Sequence, residues 1–480
     1  MTTPGVSEQD IYENNTPVRP WALLLGPALG LVVYLLLGNA GLTPEGRRLS
    51  GLAVSTVLWW LFEATSPAVV GIAFAVGASL TGVASTEKVF APFGSPIVFF
   101  FMGSFFLARA IEEHGVAVHL LRRLLAFSLV KGRPGRASRA LVGMTGVVSG
   151  FLNNTATAAL FLPFGVALAR HSFRDSQASQ SRVVLGVAYA ASIGGLLTTF
   201  GTAPTLIALG LLNASGKASI SFVEWFSYSL PVALPLMAFL IWRGAERQPA
   251  HSAPNSAPPS GTSESEQPGE PHALSTAGRR SLALVAVAML LLVLVSAVPA
   301  LSFIGETNAI LGPALLVFVL PAGSRPGPLL NWRQAAQIDW QSLLLFGAGL
   351  SLGALLFSTG VAQVLGESLR PLAIHPFLFF ATLVLVMLLL TEIASNTASV
   401  TLLVPIVVAT CLASDLPVKP FVAASAITAS LGFMMPVGTP PNALAYGTGL
   451  VPMRRMIREG ALVDLVGYLL VLATFWLWHL

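Results

Sequence analysis

Two nine-residue stretches, 149–157 (SGFLNNTAT) and 391–399 (TEIASNTAS), place hydroxyls and amides in the middle of long apolar runs. Two further stretches, 194–205 (GGLLTTFGTAPT) and 432–442 (GFMMPVGTPPN), interrupt apolar runs with glycine, threonine and proline. Neutral oxygens and free helix ends are hard donors and hard acceptors. Exposed carbonyls hold a cation, and exposed N–H groups hold an anion. None of the four stretches contains Lys or Arg. An anion bound here would therefore rest on hydroxyls, amides and helix N-termini, with bound cations offsetting its charge.

The same residue types can do duller work. Asn and Thr can hydrogen-bond neighbouring helices together, and a proline can simply kink a helix. Repetition argues against both. Asn153-Asn154-Thr155-Ala156 matches Ser395-Asn396-Thr397-Ala398 at an offset of 242, and Gly201-Thr202-Ala203-Pro204 matches Gly438-Thr439-Pro440-Pro441 at 237. Upstream, Gly115-Val116-Ala117 matches Gly360-Val361-Ala362 at 245. Three motifs in one order at nearly one spacing indicate an internal duplication.

The elements that must position these motifs are membrane helices. Hydrophobic residues make up 54% of the 480 and charged residues only 10%, against about 25% charged in a soluble globular protein; the mean hydropathy is +0.77. Apolar runs of about 20 residues recur along the chain, and a β-barrel would show short alternating segments instead. The basic balance, net +5, belongs to loops between spans and not to one nucleic-acid-binding stripe. The single cysteine, Cys411, rules out an internal disulfide.

Spans are expected near 21–38, 48–64, 67–84, 96–113, 224–243, 279–298, 301–320, 339–358 and 455–478, with interfacial pieces near 116–130 and 361–370. The polar-tipped segments are 137–170 and 375–411, and the interrupted ones 182–212 and 418–448. Residues 1–20 form a cytoplasmic tail and 21–38 an extra, retained first helix. The first repeat covers 46–243 and the second 279–480; the Ser-, Pro- and Gly-rich stretch 244–278 reads as a disordered cytoplasmic linker.

Charge decides how the polar-tipped segments run. Arg122, Arg123, Lys131, Arg133, Arg136 and Arg139 precede the first, and Arg170, Arg174 and Arg182 follow it. A single crossing would put one basic cluster outside, against the positive-inside rule, whereas a re-entrant hairpin keeps both inside. Five crossings plus one hairpin per repeat inverts the second half. The expected fold is thus an all-α polytopic membrane protein with about 11 transmembrane helices and two inverted-topology repeats, amino terminus inside and carboxyl terminus outside. Arg47, Arg48, Lys88, Lys217, Arg370 and Lys419 are the exceptions on the outer side.

These motifs resemble those of the divalent anion:sodium symporters, within the ion transporter superfamily of elevator transporters. Residues 391–397 look like that family's second Ser-Asn-Thr signature, and Asn153-Asn154-Thr155 like its first with Asn in place of Ser; Ala203 and Thr205 stand where the family often has Pro and Asn. The resemblance implies one sodium ion near Ser149, Asn153, Asn154 and Gly201, and a second near Thr391, Ala394, Asn396 and Gly438. It implies a dicarboxylate or similar dianion against Asn154, Thr155, Thr202, Asn396, Thr397 and Thr439. It also implies a homodimer in the inner membrane, with a scaffold and a moving elevator domain.

The expected function is sodium-coupled symport of a C4-dicarboxylate such as succinate or malate. Sodium-independent exchange, or sulfate or a tricarboxylate as substrate, are the alternatives within the fold. An intramembrane enzyme is disfavoured: there is no HExxH or GxSxG, and His114, His119, His171, His251, His272, His375 and His479 fall at interfaces, in the linker or at the terminus. Glu392 is expected either to attract a cation or to lie at a hairpin surface or partner, outside the ligand set.

Overall fold

A computed structural model of the chain describes residues 19–39, 41–174, 176–244, 273–323 and 326–478. The expected tail, but for its last two residues, and residues 245–272 of the expected linker lie outside the described residues. Among the described residues the chain is helical, with one isolated bridge between Pro321 and Pro328.

In chain order the helices are α1 (Pro20–Leu36), α2 (Pro44–Leu61), α3 (Pro67–Leu80), α4 (Thr86–Phe90), α5 (Pro96–Glu113), α6 (Val116–Ala126), α7 (Pro134–Ser149), α8 (Asn154–Ser172), α9 (Gln177–Gly195), α10 (Ala203–Ala214) and α11 (Phe222–Arg243). The second half contributes α12 (Thr276–Ala297), α13 (Gly305–Leu316), α14 (Trp332–Ala335), α15 (Trp340–Ser358), α16 (Val361–Leu369), α17 (Pro376–Ile393), α18 (Asn396–Ala413), α19 (Val418–Ala429), α20 (Pro440–Gly447) and α21 (Met453–Trp478). Among the described residues, seven helical stretches are long and apolar enough to cross a membrane and four shorter ones, α1, α3, α10 and α19, are also apolar. Length and apolarity do not by themselves separate a crossing from half of a hairpin.

Local chemistry sets the boundaries. Proline, whose missing N–H costs nothing in a first turn, opens α1, α2, α3, α5, α7, α17 and α20. Ser, Thr, Asn or Asp side chains cap α2, α8, α9, α11, α12, α15, α18 and α20. Ser275 accepts from Gly278 N, so α12 begins at Thr276, three residues before the expected 279. Gly115 and Gly360, the pair matched at offset 245, both sit in the left-handed region (φ +59° and +78°) and turn the chain from α5 into α6 and from α15 into α16. A side chain there would be strained.

Packing runs across the two halves. Helix α9 is buried along Val183–Gly195 and packs on α7 and α8, while α19 is buried along Pro420–Ala429 and packs on α17 and α18. The short helices exchange sides: α10 packs on α18 and α19, and α20 packs on α8 and α9. At the outside, α1, α12 and α17 expose Leu24, Leu35, Leu290 and Leu389, a surface that suits lipid and not water.

Charged groups from three helices meet at Glu459. Glu459 on α21 receives Arg243 (Nη2 2.7 Å, Nε 3.0 Å), Arg182 (3.4 Å) and Arg455 (3.4 Å), joining α9, α11 and α21. Three of the six expected outer-side exceptions are tied down. Arg47 lies over the Tyr34 ring, Arg48 donates to Gly82 O, and Lys419 pairs with Glu224 at 3.0 Å.

Candidate functional site

The segment 137–170 is not one continuous rod. Helix α7 ends at Ser149, four residues turn, and α8 restarts at Asn154. Asn153 occupies the N-cap, its Oδ1 accepting from Ala156 N at 2.7 Å. Ser395 does the same for α18, accepting from Ala398 N at 3.2 Å. Asn and Ser are comparably good N-caps, which explains why the Ser-to-Asn departure leaves the tip intact. It also means that the Asn153 side chain is committed to its own helix, and its carbonyl to Thr157 N.

The interrupted helices break where the prolines and glycines predict. Helix α9 ends at Gly195 and α10 begins at Ala203, with Thr202 at its N-cap and Pro204 in its first turn. Helix α19 ends at Ala429, and α20 begins at Pro440 behind Thr439, whose Oγ1 accepts from Asn442 N at 3.3 Å. Thr202 makes no such cap bond.

Tip and break meet in the same way in both halves. Ser149 Oγ lies 2.6 Å from Ala191 O and 3.0 Å from Asn154 Oδ1. Thr391 Oγ1 lies 2.6 Å from Ala429 O and 2.6 Å from Asn396 Oδ1. A hydroxyl carries one hydrogen, so at the second tip one of these close oxygen pairs has no proton between its members, and at the first tip the same holds when Asn154 Oδ1 faces inward. In the first half the Asn154 amide can face either way. With Oδ1 inward the Ser149, Ala191, Gly201 and Asn154 oxygens form an all-oxygen cluster; turned over, its NH2 donates to Ser149 Oγ, Ala191 O and Gly201 O at 3.0, 3.0 and 3.1 Å. Oxygens crowded without donors are what a hard cation requires.

Glycines make the approach possible. A Cβ on Gly195 would collide with Asn154 Oδ1 and come within 3.0 Å of Gly201 O, and one on Gly201 would reach 2.5 Å from Gly195 O. In the second half a Cβ on Gly432 would stand 3.0 Å from Thr391 O, and one on Gly438 3.4 Å from that atom. Gly194 runs against Gly146 so closely that a Cβ would overlap the Gly146 main chain, joining α9 to α7. Ala394 is extended (φ −122°, ψ 164°), which turns its backbone out of the helical path at the second tip.

The halves differ at one carboxylate. Glu392 is only 4% exposed, not at a surface, and its oxygens accept from Phe433 N (2.7 Å), Met434 N (3.0 and 3.1 Å) and Met435 N (3.1 Å). These N–H groups would otherwise continue α19. Their capture leaves Ala429 O without its helical partner. In the first half the matching position is Gly150, whose carbonyl accepts from Thr198 Oγ1 at 2.6 Å, and α9 stays helical four residues further, to Gly195.

Asn442 Nδ2 braces the second break, donating to Gly432 O at 3.0 Å and Met435 O at 3.1 Å. Thr205, which matches Asn442 at offset 237, is buried and its hydroxyl has no partner among the described residues. Asn154, Thr155, Asn396 and Thr397 begin α8 and α18 and are partly exposed, while Thr202 and Thr439 are buried caps of α10 and α20. Four helix N-termini thus carry the six residues expected to face an anion. Sequence reasoning missed the carbonyls of Ala191 and Ala429. Only the offset of 238 between them, close to that of the breaks, could have pointed there.

The model of a family described as "citrate transporter" matches residues 57–413. Curated relatives include the sodium-dependent dicarboxylate transporters SdcS of Staphylococcus saprophyticus, 27% identical over 471 residues, and of Staphylococcus aureus, 27% identical over 466; each alignment covers 94% of this chain and 89% of the relative. Among solved structures, MtrF of Neisseria gonorrhoeae, studied within a class of antimetabolite efflux pumps, superposes with a TM-score of 0.58 at 16% identity, covering 89% of this chain and 97% of that one. The YdaH transporter of Alcanivorax borkumensis gives 0.54 at 14%, covering 95% and 96%. At such identities the structural likeness speaks for fold alone.

Proposed function

The chain belongs to the citrate transporter family, a transporter and not an enzyme, and from that premise we propose that it carries out sodium-coupled symport of a small dianion, a C4-dicarboxylate such as succinate or malate. The observation that carries the reading is at the second tip, where the single hydroxyl hydrogen of Thr391 faces two oxygens at 2.6 Å; the first tip repeats it at Ser149 when Asn154 Oδ1 faces inward. A sodium ion at each would relieve the oxygen crowding. The ligands are Ser149, Asn154, Ala191 O and Gly201 in the first half, and Thr391, Ala394, Asn396, Ala429 O and Gly438 in the second. The names of the SdcS relatives, sodium-dependent dicarboxylate transporters, support the same pairing of ion and anion.

The anion lies against Asn154, Thr155, Thr202, Asn396, Thr397 and Thr439. The N-termini of α8, α10 and α18 offer N–H groups and roughly half a positive charge each, while α20, which opens on Pro440 and Pro441, offers the Thr439 hydroxyl in place of an N–H; two sodium ions balance a dianion. The anion therefore binds better when the ions are present, and by linkage the ions bind better with the anion. That reciprocity lets a sodium gradient drive uphill uptake.

For the crossing itself, the two tips and two breaks move together as an elevator against a scaffold built from the early helices of each repeat. The protein works as a homodimer in the inner membrane, amino terminus in the cytoplasm. The Arg182, Arg243 and Arg455 cluster on one face accords with that orientation. Uptake of labelled succinate into proteoliposomes tests the reading. Accumulation should require an inward sodium gradient; equal uptake without sodium would overturn sodium symport.

A further inference from the structure

The two breaks have one matched carbonyl each, and they are held differently. In the first half Leu196 O accepts from Trp225 Nε1 at 2.9 Å, a donor on α11, the last helix of the same half. Phe433 O is the matching atom at offset 237, and there α21, the last helix of the second half, presents Gly460; a Cβ would stand 2.3 Å from that oxygen. Glycine has no side chain to donate. The donor comes from the other half instead: the Tyr189 hydroxyl on α9 lies 3.0 Å from Phe433 O, against 3.5 Å from Met456 O. It carries one hydrogen, which serves the nearer carbonyl. The Tyr189 and Phe433 rings also lie together, centroids 4.9 Å apart.

This exchange runs one way. Ile427, which matches Tyr189 at the offset of 238 that relates Ala191 to Ala429, carries no donor. Tyr189 and Phe433 are both buried, where an unpaired carbonyl is costly. Among the described residues Tyr189 is what satisfies it.

Position gives the bond its consequence. Phe433 lies in the unwound segment between Ala429 and Gly438; its N–H is fixed by Glu392 and its carbonyl by Tyr189, so the path of that segment is set from two sides. Tyr189 in turn stands two residues before Ala191, whose carbonyl accepts from Ser149 at the first tip. A single helical turn of α9 therefore reaches the first tip with its main chain and the second break with a side chain.

We infer that Tyr189 is a positioning residue that couples the two cation sites, an inference that rests on the sodium sites proposed above. An ion at the first tip fixes Ala191, and with it the Tyr189 hydroxyl that sets Phe433 for the second ion. By linkage the second ion favours the first equally.

The test is sodium activation of succinate uptake in proteoliposomes, comparing the wild type with Tyr189→Phe, which keeps the ring and removes the hydroxyl. The wild-type Hill coefficient for sodium should exceed one and fall toward one in the variant. Half-maximal sodium should rise by about two- to tenfold, the span of one neutral hydrogen bond, far more than the maximal rate falls. A merely structural role would lower Tm without changing the shape of the curve. Should Tyr189→Phe not fold, amide hydrogen exchange at 430–438 gives a second reading: sodium should slow it in the wild type and not in Gly195→Ala, whose methyl group blocks the first site. A wild type whose uptake ignores sodium would overturn the symport reading and this inference with it. A sodium-dependent wild type with a Hill coefficient of one, an unchanged curve in Tyr189→Phe, or sodium protection of 430–438 surviving in Gly195→Ala would overturn this inference alone.

Discussion

Thr391 and Asn396, five residues apart across the second tip, bring hydroxyl and amide oxygen to 2.6 Å while the same hydroxyl stands 2.6 Å from Ala429 O. Ser149 and Asn154 repeat the arrangement more loosely, at 3.0 Å. The carbonyls also differ in their surroundings: Glu392 draws away the N–H groups that would have occupied Ala429 O, whereas Ala191 lies inside the helical run of α9.

The two ion sites should therefore be unequal. Thr391→Val, which keeps the shape and removes the oxygen, should raise the sodium concentration for half-maximal uptake by about ten- to a hundredfold, since a hydrogen-bonding group on a charge contributes about 1.5–3 kcal/mol. Ser149→Ala should have the smaller effect, because Ala191 O lies inside the helical run of α9 and is shared. Sodium-activation curves in proteoliposomes measure both, and matched shifts would contradict the asymmetry.

Gly195→Ala should place a methyl group against Asn154 Oδ1 and Gly201 O. Sodium should then no longer raise the melting temperature of the purified variant, whereas it does for the wild type. A retained sodium-dependent rise in Tm would remove Gly195 from the first site.

Glu392→Ala should strip the acceptor from three buried or partly buried N–H groups. Unsatisfied backbone donors cost about 1–3 kcal/mol each, so even with partial relaxation the variant should lose about 2–4 kcal/mol of stability. Melting in detergent reports it, and an unchanged Tm would show that the segment between α19 and α20 does not depend on the carboxylate.

Thr205→Val should be nearly neutral or slightly stabilising, within about 1 kcal/mol, because it replaces a buried hydroxyl without a partner by an isosteric methyl group. Asn442→Leu, at the matching place, should destabilise clearly, since two carbonyls lose their donor. Parallel thermal melts compare the pair, and equal losses would mean that Thr205 does hidden structural work.

Much of this was legible before any coordinates because polar side chains at membrane depth are costly and therefore conspicuous. Asn154, Asn396, Thr202 and Thr439 stand out against apolar neighbours, and the prolines at 204, 440 and 441 mark the breaks. Main-chain ligands leave no such trace. Ala191 and Ala429 are ordinary apolar letters, and their carbonyls matter only because of what a hydroxyl 38 or 42 positions away reaches. Asn153 was visible but ambiguous, since the same side chain that could bind an ion also caps a helix. Glu392 was visible and misplaced: only the fold reveals that three N–H groups arrive from 41 to 43 residues downstream.

The contact of Gly194 with Gly146, main chain on main chain, leaves no compressible side chain between α7 and α9. A layer of leucines could slide or change rotamer; two abutting backbones cannot. The first tip and the first break are thus effectively one solid piece, and any stroke that relocates the pocket must shift both of them by the same amount.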